Sequence, residues 1–267
     1  MNIRLSSIVL LFIASIVLVS CDEKPRTAAE DEIKIHETFE QRMEREVTAA
    51  LEIPATERIE MKVYRAFINN DSLKDAIITV NRNEYALNLA IEKKVVAKAE
   101  EVGYIGNYNF FFYYDAALDK ISIPIPVPSS PGRPLDVHFE SITQSVQKDV
   151  IIDYRILNSG YKTYYSVVND HDLIKVFNWD EFSQLGTPKS KATYHSYELS
   201  NDGLTKEIVL YEGKVSSIPK GKDKHYYDVV PQIESTQKRL ARFFYNPRSM
   251  KYAVNMEDAA YLRSLAE

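Results

Sequence analysis

Chemistry in this 267-residue chain rests on one cysteine, five histidines and a few clustered carboxylates. The histidines are His36, His138, His171, His195 and His225, and none has a second ligand at helical spacing, so a zinc site has no support. Asn169-Asp170-His171-Asp172 packs polar ligands into four residues between two expected strands. It reads first as a solvated turn and second as a cation loop. Asp115 and Asp119 flank a hairpin, as a glycosidase acid and its partner would, but one sequence leaves their separation open. The chain has no Gly-x-Ser-x-Gly elbow and no phosphate-cradling loop, and eight glycines leave little room for either.

The single cysteine, Cys21, closes a twelve-residue apolar run and follows Leu18-Val19-Ser20. One charge, Arg4, precedes the run. A basic start, an apolar core and a small-residue exit are the parts of a secretory signal. Twelve residues at helical rise reach about 18 Å, short of a ~30 Å hydrocarbon core. Leu18-Val19-Ser20-Cys21 closely resembles the lipobox of bacterial lipoproteins. That resemblance implies diacylglycerol on the Cys21 sulfur, cleavage before Cys21 and an acylated new amino terminus. Several acyl chains, each CH2 contributing about 0.8 kcal/mol, anchor stably where one would be marginal. The implied location is the outer membrane, with its periplasmic and cell-surface faces both open. Asp22-Glu23 resembles acidic tags that send some Bacteroidota lipoproteins to the surface. An Asp directly after the cysteine also resembles the inner-membrane retention signal of enteric bacteria. The abundance of Tyr, Ile, Lys and Asn favours the first lineage.

Asn69-Asn70-Asp71-Ser72-Leu73-Lys74-Asp75 followed by Ala76-Ile77-Ile78-Thr79-Val80 resembles the D-x-N-x-D-x-x-x-D loop and strand of FG-GAP or VCBS-type repeats. In that family loop oxygens hold Ca2+, a hard cation that takes six to eight oxygens. By position, Asn69, Asp71 and Asp75 match the second, third and fourth ligands. Phe67 stands at the first, so Ca2+ binding is expected to be weak or lost, and a polar hairpin loop is the reading preferred. Asn201-Asp202-Gly203-Leu204-Thr205-Lys206-Glu207-Ile208-Val209-Leu210 echoes this segment with one residue inserted. No third copy is evident, so a complete propeller is not expected.

Without residues 1–20, which carry only Arg4, the net charge moves from −5 to −6. That dispersed acidity argues against a nucleic-acid surface and against a polybasic lipid-binding patch. No disulfide is available, so the exported body relies on its core. Aromatic residues are abundant, with 18 Tyr and 11 Phe against one Trp.

Five regions follow: a signal at 1–20, an acylated cysteine and charged tether at 21–32, a helix at 33–53, a β-rich domain at 54–230 and a helical C-terminal region at 231–267. Ile35, Phe39, Met43, Val47 and Leu51 lay one stripe along the first helix, which Pro54 ends. Strands are expected over Glu60–Ala66, Ala76–Asn81, Phe110–Asp115, Lys120–Val127, Leu135–Ile142, Val150–Leu157, Lys162–Val168, Leu173–Asn178, Ala192–Leu199 and Glu207–Tyr211. Asn158-Ser159-Gly160 and Asn201-Asp202-Gly203 supply hairpin turns. A helix is expected over Glu84–Glu101. The prolines from Pro124 to Pro134 mark an edge strand entering an exposed loop. Ile233, Leu240, Phe243 and Phe244 suit a helix after Pro231, and Asn255 caps a last one. Phe110 to Tyr114 is aromatic on both faces, as a central strand between a sheet and a helix would be.

The fold expected is mainly β, an antiparallel sheet or sandwich with peripheral helices, with α+β as the alternative. The function expected is a lipid-anchored, non-enzymatic interaction or accessory subunit of an outer-membrane or surface complex, with an envelope protein as partner. The alternative is a surface glycan-binding protein or glycan hydrolase on a β-sandwich.

Overall fold

Lys74-Asp75-Ala76-Ile77-Ile78, Lys148-Asp149-Val150-Ile151-Ile152 and Lys206-Glu207-Ile208-Val209-Leu210 each open the second strand of an antiparallel meander. The second of these is the third copy that the sequence reading did not find. A computed structural model describes residues 37–95, 106–169, 171–216, 226–227 and 229–266. The lipidation residue Cys21, the tether and residues 96–101 of the expected second helix lie outside them. That helix, expected over Glu84–Glu101, already stops at Glu92, and Lys94 turns to φ +57°.

The first meander runs through β1 (Glu60–Ala66), β2 (Asp75–Asn81) and β3 (Gly106–Asp115). Two short strands, β4 (Lys120–Ile121) and β5 (Ile125–Ser129), share the outer edge of β3, where one strand over Lys120–Val127 was expected. Pro124, which has no N–H to give the ladder, stands at the break. The proline loop that follows is only partly exposed: Pro128 and Gly132 face solvent, whereas Ser129, Ser130 and Pro131 are buried. The buried Asn109 amide bonds Ser129 Oγ at 2.9 Å and the Arg133 carbonyl at 3.0 Å, tying that loop to β3.

The second meander is β6 (Asp136–Glu140), β7 (Asp149–Ile156), β8 (Ser159–Val168) and β9 (Asp172–Ser183). The third is β10 (Lys191–Leu199), β11 (Lys206–Ser216), β12 (Gln232–Asn246) and β13 (Lys251–Val254). Only two residue pairs, Ser183–Lys191 and Phe182–Ala192, join β9 to β10. Beyond them the strands part and the third meander folds back over the second. The far side closes where Lys206 N–H donates to the Ile142 carbonyl at 2.7 Å.

Strand alternation sorts the side chains between layers. On β3, Phe112 and Tyr114 join Met43 and Val47 of α1 (Phe39–Ala50) in one apolar cluster. Phe111 and Tyr113 join Val150 and Ile152 of β7 in another. The aromatic strand is therefore buried between helix and sheet, as its two-faced pattern predicts. Ile151 and Tyr164, on the opposite face of the second meander, meet Ile208, Leu210 and Phe243 of the third. The order of layers is α1, first meander, second meander, third meander. Thr38 starts α1 with a capping box, its side chain accepting from Gln41 N–H at 3.2 Å while Gln41 Oε1 accepts from Thr38 N–H at 2.8 Å. Arg42 ties the helix to the β3–β4 turn by bonding both oxygens of Asp119.

The C-terminal region corrects the helix expected after Pro231, because Gln232–Asn246 is a fifteen-residue strand. Its register against β11 shifts twice, around Leu210, Tyr211 and Gly213, and Gln237 lies at φ +65°. These bulges re-phase the alternation, so that Ile233, Leu240 and Phe243 fall at a spacing that imitates a helix. Two peripheral helices complete the chain, α2 (Asn83–Glu92) and α3 (Met256–Ala266). Asn255 caps α3 as expected, accepting from Asp258 N–H at 2.7 Å. The β7–β8 turn falls on Leu157, at φ +54°, one residue before the expected Asn158. Gly160 instead makes room for Phe182, whose ring lies 2.3 Å from where a Cβ would stand.

Candidate metal centre

Asp75 opens β2 fully buried, and its two oxygens hold the chain on either side. Oδ1 accepts from Ala116 N–H at 3.0 Å and Oδ2 from Asn69 N–H at 3.3 Å. A buried acid at the head of a strand thus pins the loop before it and the turn beside it. Asp71 folds its own loop, accepting from Leu73 N–H at 2.8 Å and from the Asn69 side-chain amide at 3.1 Å. Asn69 Oδ1 in turn accepts from Asp71 N–H at 3.1 Å.

Strand pairing adds a ligand that the loop sequence does not show. Ala76 pairs with Tyr114, so the next residue of β3, Asp115, stands beside Asp75. One oxygen from each of Asp71, Asp75 and Asp115 lies within 4.8 Å of the others. Asp115 supplies the carboxylate missing at Phe67, which is half exposed with Lys74 over its ring. The polar turn at 169–172 arrives here as well, because His171 Nδ1 lies 2.5 Å from Asp115 Oδ2. Two separate sequence signals therefore meet at one point, between the first and second meanders.

The second meander repeats the same geometry with neutral groups. Asp149 is fully buried and accepts from Ile142 N–H at 2.8 Å, Thr143 N–H at 2.7 Å and Thr143 Oγ1 at 2.7 Å. Thr143 stands six residues before Asp149, as Asn69 stands before Asp75. Val150 pairs with Tyr165, so Ser166 takes the place of Asp115. Thr143 and Ser166 hydroxyls lie 2.9 Å apart, and Gln147 donates to Ser166 at 3.1 Å. One carboxylate among hydroxyls completes itself; three carboxylates do not.

Electrostatics follow from that difference. Burial raises the Asp75 pKa above the usual carboxylate range, and the charges of Asp71 and Asp115 push it further up against the two N–H bonds. Asp149 is also raised by burial, but hydrogen bonds from Thr143 and Ile142 oppose it. A hard cation bound among Asp71, Asp75 and Asp115 would remove the repulsion. The donors are all oxygen and their spacing suits ligands about 2.3–2.6 Å from one ion. Asp71, the outermost of the three, leaves a side for water.

The other acidic pair divides. Asp115 accepts from Leu118 N–H at 2.9 Å, whereas Asp119 turns to α1 and to the Tyr114 hydroxyl at 2.7 Å. Arg42 holds the Asp119 carboxyl low, at about 2. These two acids face different partners.

A buried polar chain that sequence reasoning missed lies between the second and third meanders. Tyr164 OH lies 2.9 Å from His195 Nδ1 and 3.1 Å from Tyr197 OH. Burial, and then the nearby Lys162 ammonium, lower the His195 pKa to about 3, so the ring is neutral. The alternation of β10, which puts His195 and Tyr197 on one face, was the available signal.

No protein-family model, no curated protein and no solved structure matches this chain.

Proposed function

We propose that this chain is a lipid-anchored envelope protein, acylated at Cys21 and held at the outer membrane, serving as a non-enzymatic accessory subunit of an envelope complex. The observation that carries the reading is Leu18-Val19-Ser20-Cys21 at the end of a short apolar run. Seventeen residues lie between Cys21 and the first residue of α1, enough to span at most about 60 Å when extended. The body can thus stand clear of the headgroups and meet a partner. The divergence of Asp115 and Asp119 favours an accessory role over a hydrolase on the same scaffold.

Asp71, Asp75 and Asp115 are proposed to take Ca2+, with Asn69 shaping the loop. The ion would brace the seam where His171 of the second meander reaches Asp115 of the first. Its role is structural, a stiffening of the stack at envelope Ca2+ concentrations.

Extraction of the native lipoprotein in mild detergent, followed by affinity capture, tests the accessory role. A stoichiometric envelope partner is expected to co-purify. A protein that runs alone and binds polysaccharide would replace this reading with the glycan-binding one.

A further inference from the structure

Where β9 parts from β10 there is a cleft of about 650 Å3, and none of the acidic trio lines it. Its size falls within the range of small-molecule sites. Trp179, Phe182, Leu240, Leu262 and Leu265 line it. Trp179 belongs to the apolar layer between the second and third meanders, and Phe182 to a separate cluster around Leu185. The cleft is the gap between these two clusters.

Three special features build that gap. A bulge around Gln237 breaks the β11–β12 register beside Leu240, which lines the wall. Gly213 lets β11 pass close to Ala192, whose carbonyl carbon lies 2.9 Å from where a Cβ would stand. Finally α3 lays Leu262 and Leu265 along one side.

Lysines stand at its rim. Lys238 lies 3.6 Å from Glu212, and Lys191 donates to the Leu265 carbonyl at 3.4 Å. Lys214 has no ion-pair partner among the described residues. Among the described residues Asp180 and Glu212 are the only acids lining the cleft, against Lys191, Lys214 and Lys238, so the described lining is net positive. An apolar floor under a cationic rim fits a linear acyl chain that ends in an anionic head. The indole of Trp179 offers the chain a flat face, and Lys214 offers the head an unshared charge.

We infer that this cleft is a binding site for an amphipathic anion of the long-chain carboxylate type. The inference stands apart from the anchor and from the acidic trio, since it uses neither. Trp179 is the only tryptophan in the sequence, so all indole emission comes from a ring that lines the cleft.

The test uses the full chain carrying Cys21→Ala, purified without detergent, and dodecanoate below its micelle threshold. Dodecanoate is expected to shift Trp179 emission to the blue in a saturable manner, and Lys214→Glu to weaken binding about tenfold. Leu265→Glu, at an exposed position on α3, is a second variant that leaves the core intact and should weaken binding similarly. Dodecyl maltoside supplies the same chain without charge, and neutral phosphatidylcholine vesicles supply a membrane surface. Tighter binding of dodecanoate than of either supports the site. No saturable shift, equal affinity for the maltoside, a response to vesicles alone, or unchanged affinity in both variants would each overturn it.

Discussion

Replacing Asp149 with alanine strips the acceptor from two buried backbone N–H groups, those of Ile142 and Thr143. Each buried donor left unpaired costs roughly 1–3 kcal/mol, so the two together cost about 2–6. The Thr143 hydroxyl keeps a partner in Ser166 at 2.9 Å and adds little. Removing a buried charge returns part of the loss, because burial holds Asp149 above its usual pKa. The net expectation for Asp149→Ala is about 3 kcal/mol, a large share of the roughly 5–15 kcal/mol that holds a domain together. Asp149→Asn keeps one oxygen for the N–H pair and should cost only about 1 kcal/mol. The first meander supplies the internal control. Asp75→Asn keeps only one of the two oxygens that hold Ala116 and Asn69 N–H, a loss of roughly 1–3 kcal/mol, and against that it relieves repulsion from Asp71 and Asp115. Without Ca2+ the two effects partly cancel, and the net cost should stay near about 1 kcal/mol. Urea unfolding at pH 7 measures all three, with Asp149→Ala expected to lower the midpoint by about 1 M at unchanged slope. An Asp149→Ala variant within 1 kcal/mol of wild type, or an Asp75→Asn variant as damaged as Asp149→Ala, would refute the reading of the two loops.

Millimolar Ca2+ should raise the melting temperature of the chain by several degrees, about 2.7 kcal/mol at a hundredfold excess over Kd, and Asp71→Ala should erase the rise. Differential scanning fluorimetry with and without chelator checks this, and a wild type indifferent to Ca2+ would return the loop to a purely structural role. His195 is neutral when folded but titrates near 6.5 when unfolded, so its stabilisation is complete above pH 6.5 and falls as acid is added. Between pH 7.5 and pH 5 that loss amounts to about 2 kcal/mol. Denaturant midpoints across this range should fall less steeply in His195→Gln than in wild type, and parallel slopes would contradict the buried, neutral ring.

Much of the fold was legible because strand alternation and helix periodicity act locally. Met43 and Val47 announce one face of α1, and the two-faced aromatic run of β3 announces a strand covered on both sides. The β12 error has an equally physical origin, since bulges inserted residues and shifted Leu240 and Phe243 out of phase with Ile233. The acidic loop was half legible. Asn69, Asp71 and Asp75 are neighbours in sequence, whereas Asp115 is placed by the β2–β3 register forty residues away. The repeat at Lys148-Asp149 escaped notice because its loop carries Thr143 and Gln147, where the first copy carries Asn69 and Leu73. Lysine, acid and an aliphatic run would have exposed all three copies.

Lipidation at Cys21 is the modification on which the proposed envelope role depends. Cells grown with an alkyne-bearing fatty acid should incorporate label into the wild-type chain, with the mature protein beginning at the acylated cysteine by mass. Cys21→Ala should carry no label and should accumulate as uncleaved precursor or soluble protein. Label persisting on Cys21→Ala, or an unmodified wild-type amino terminus, would contradict the account.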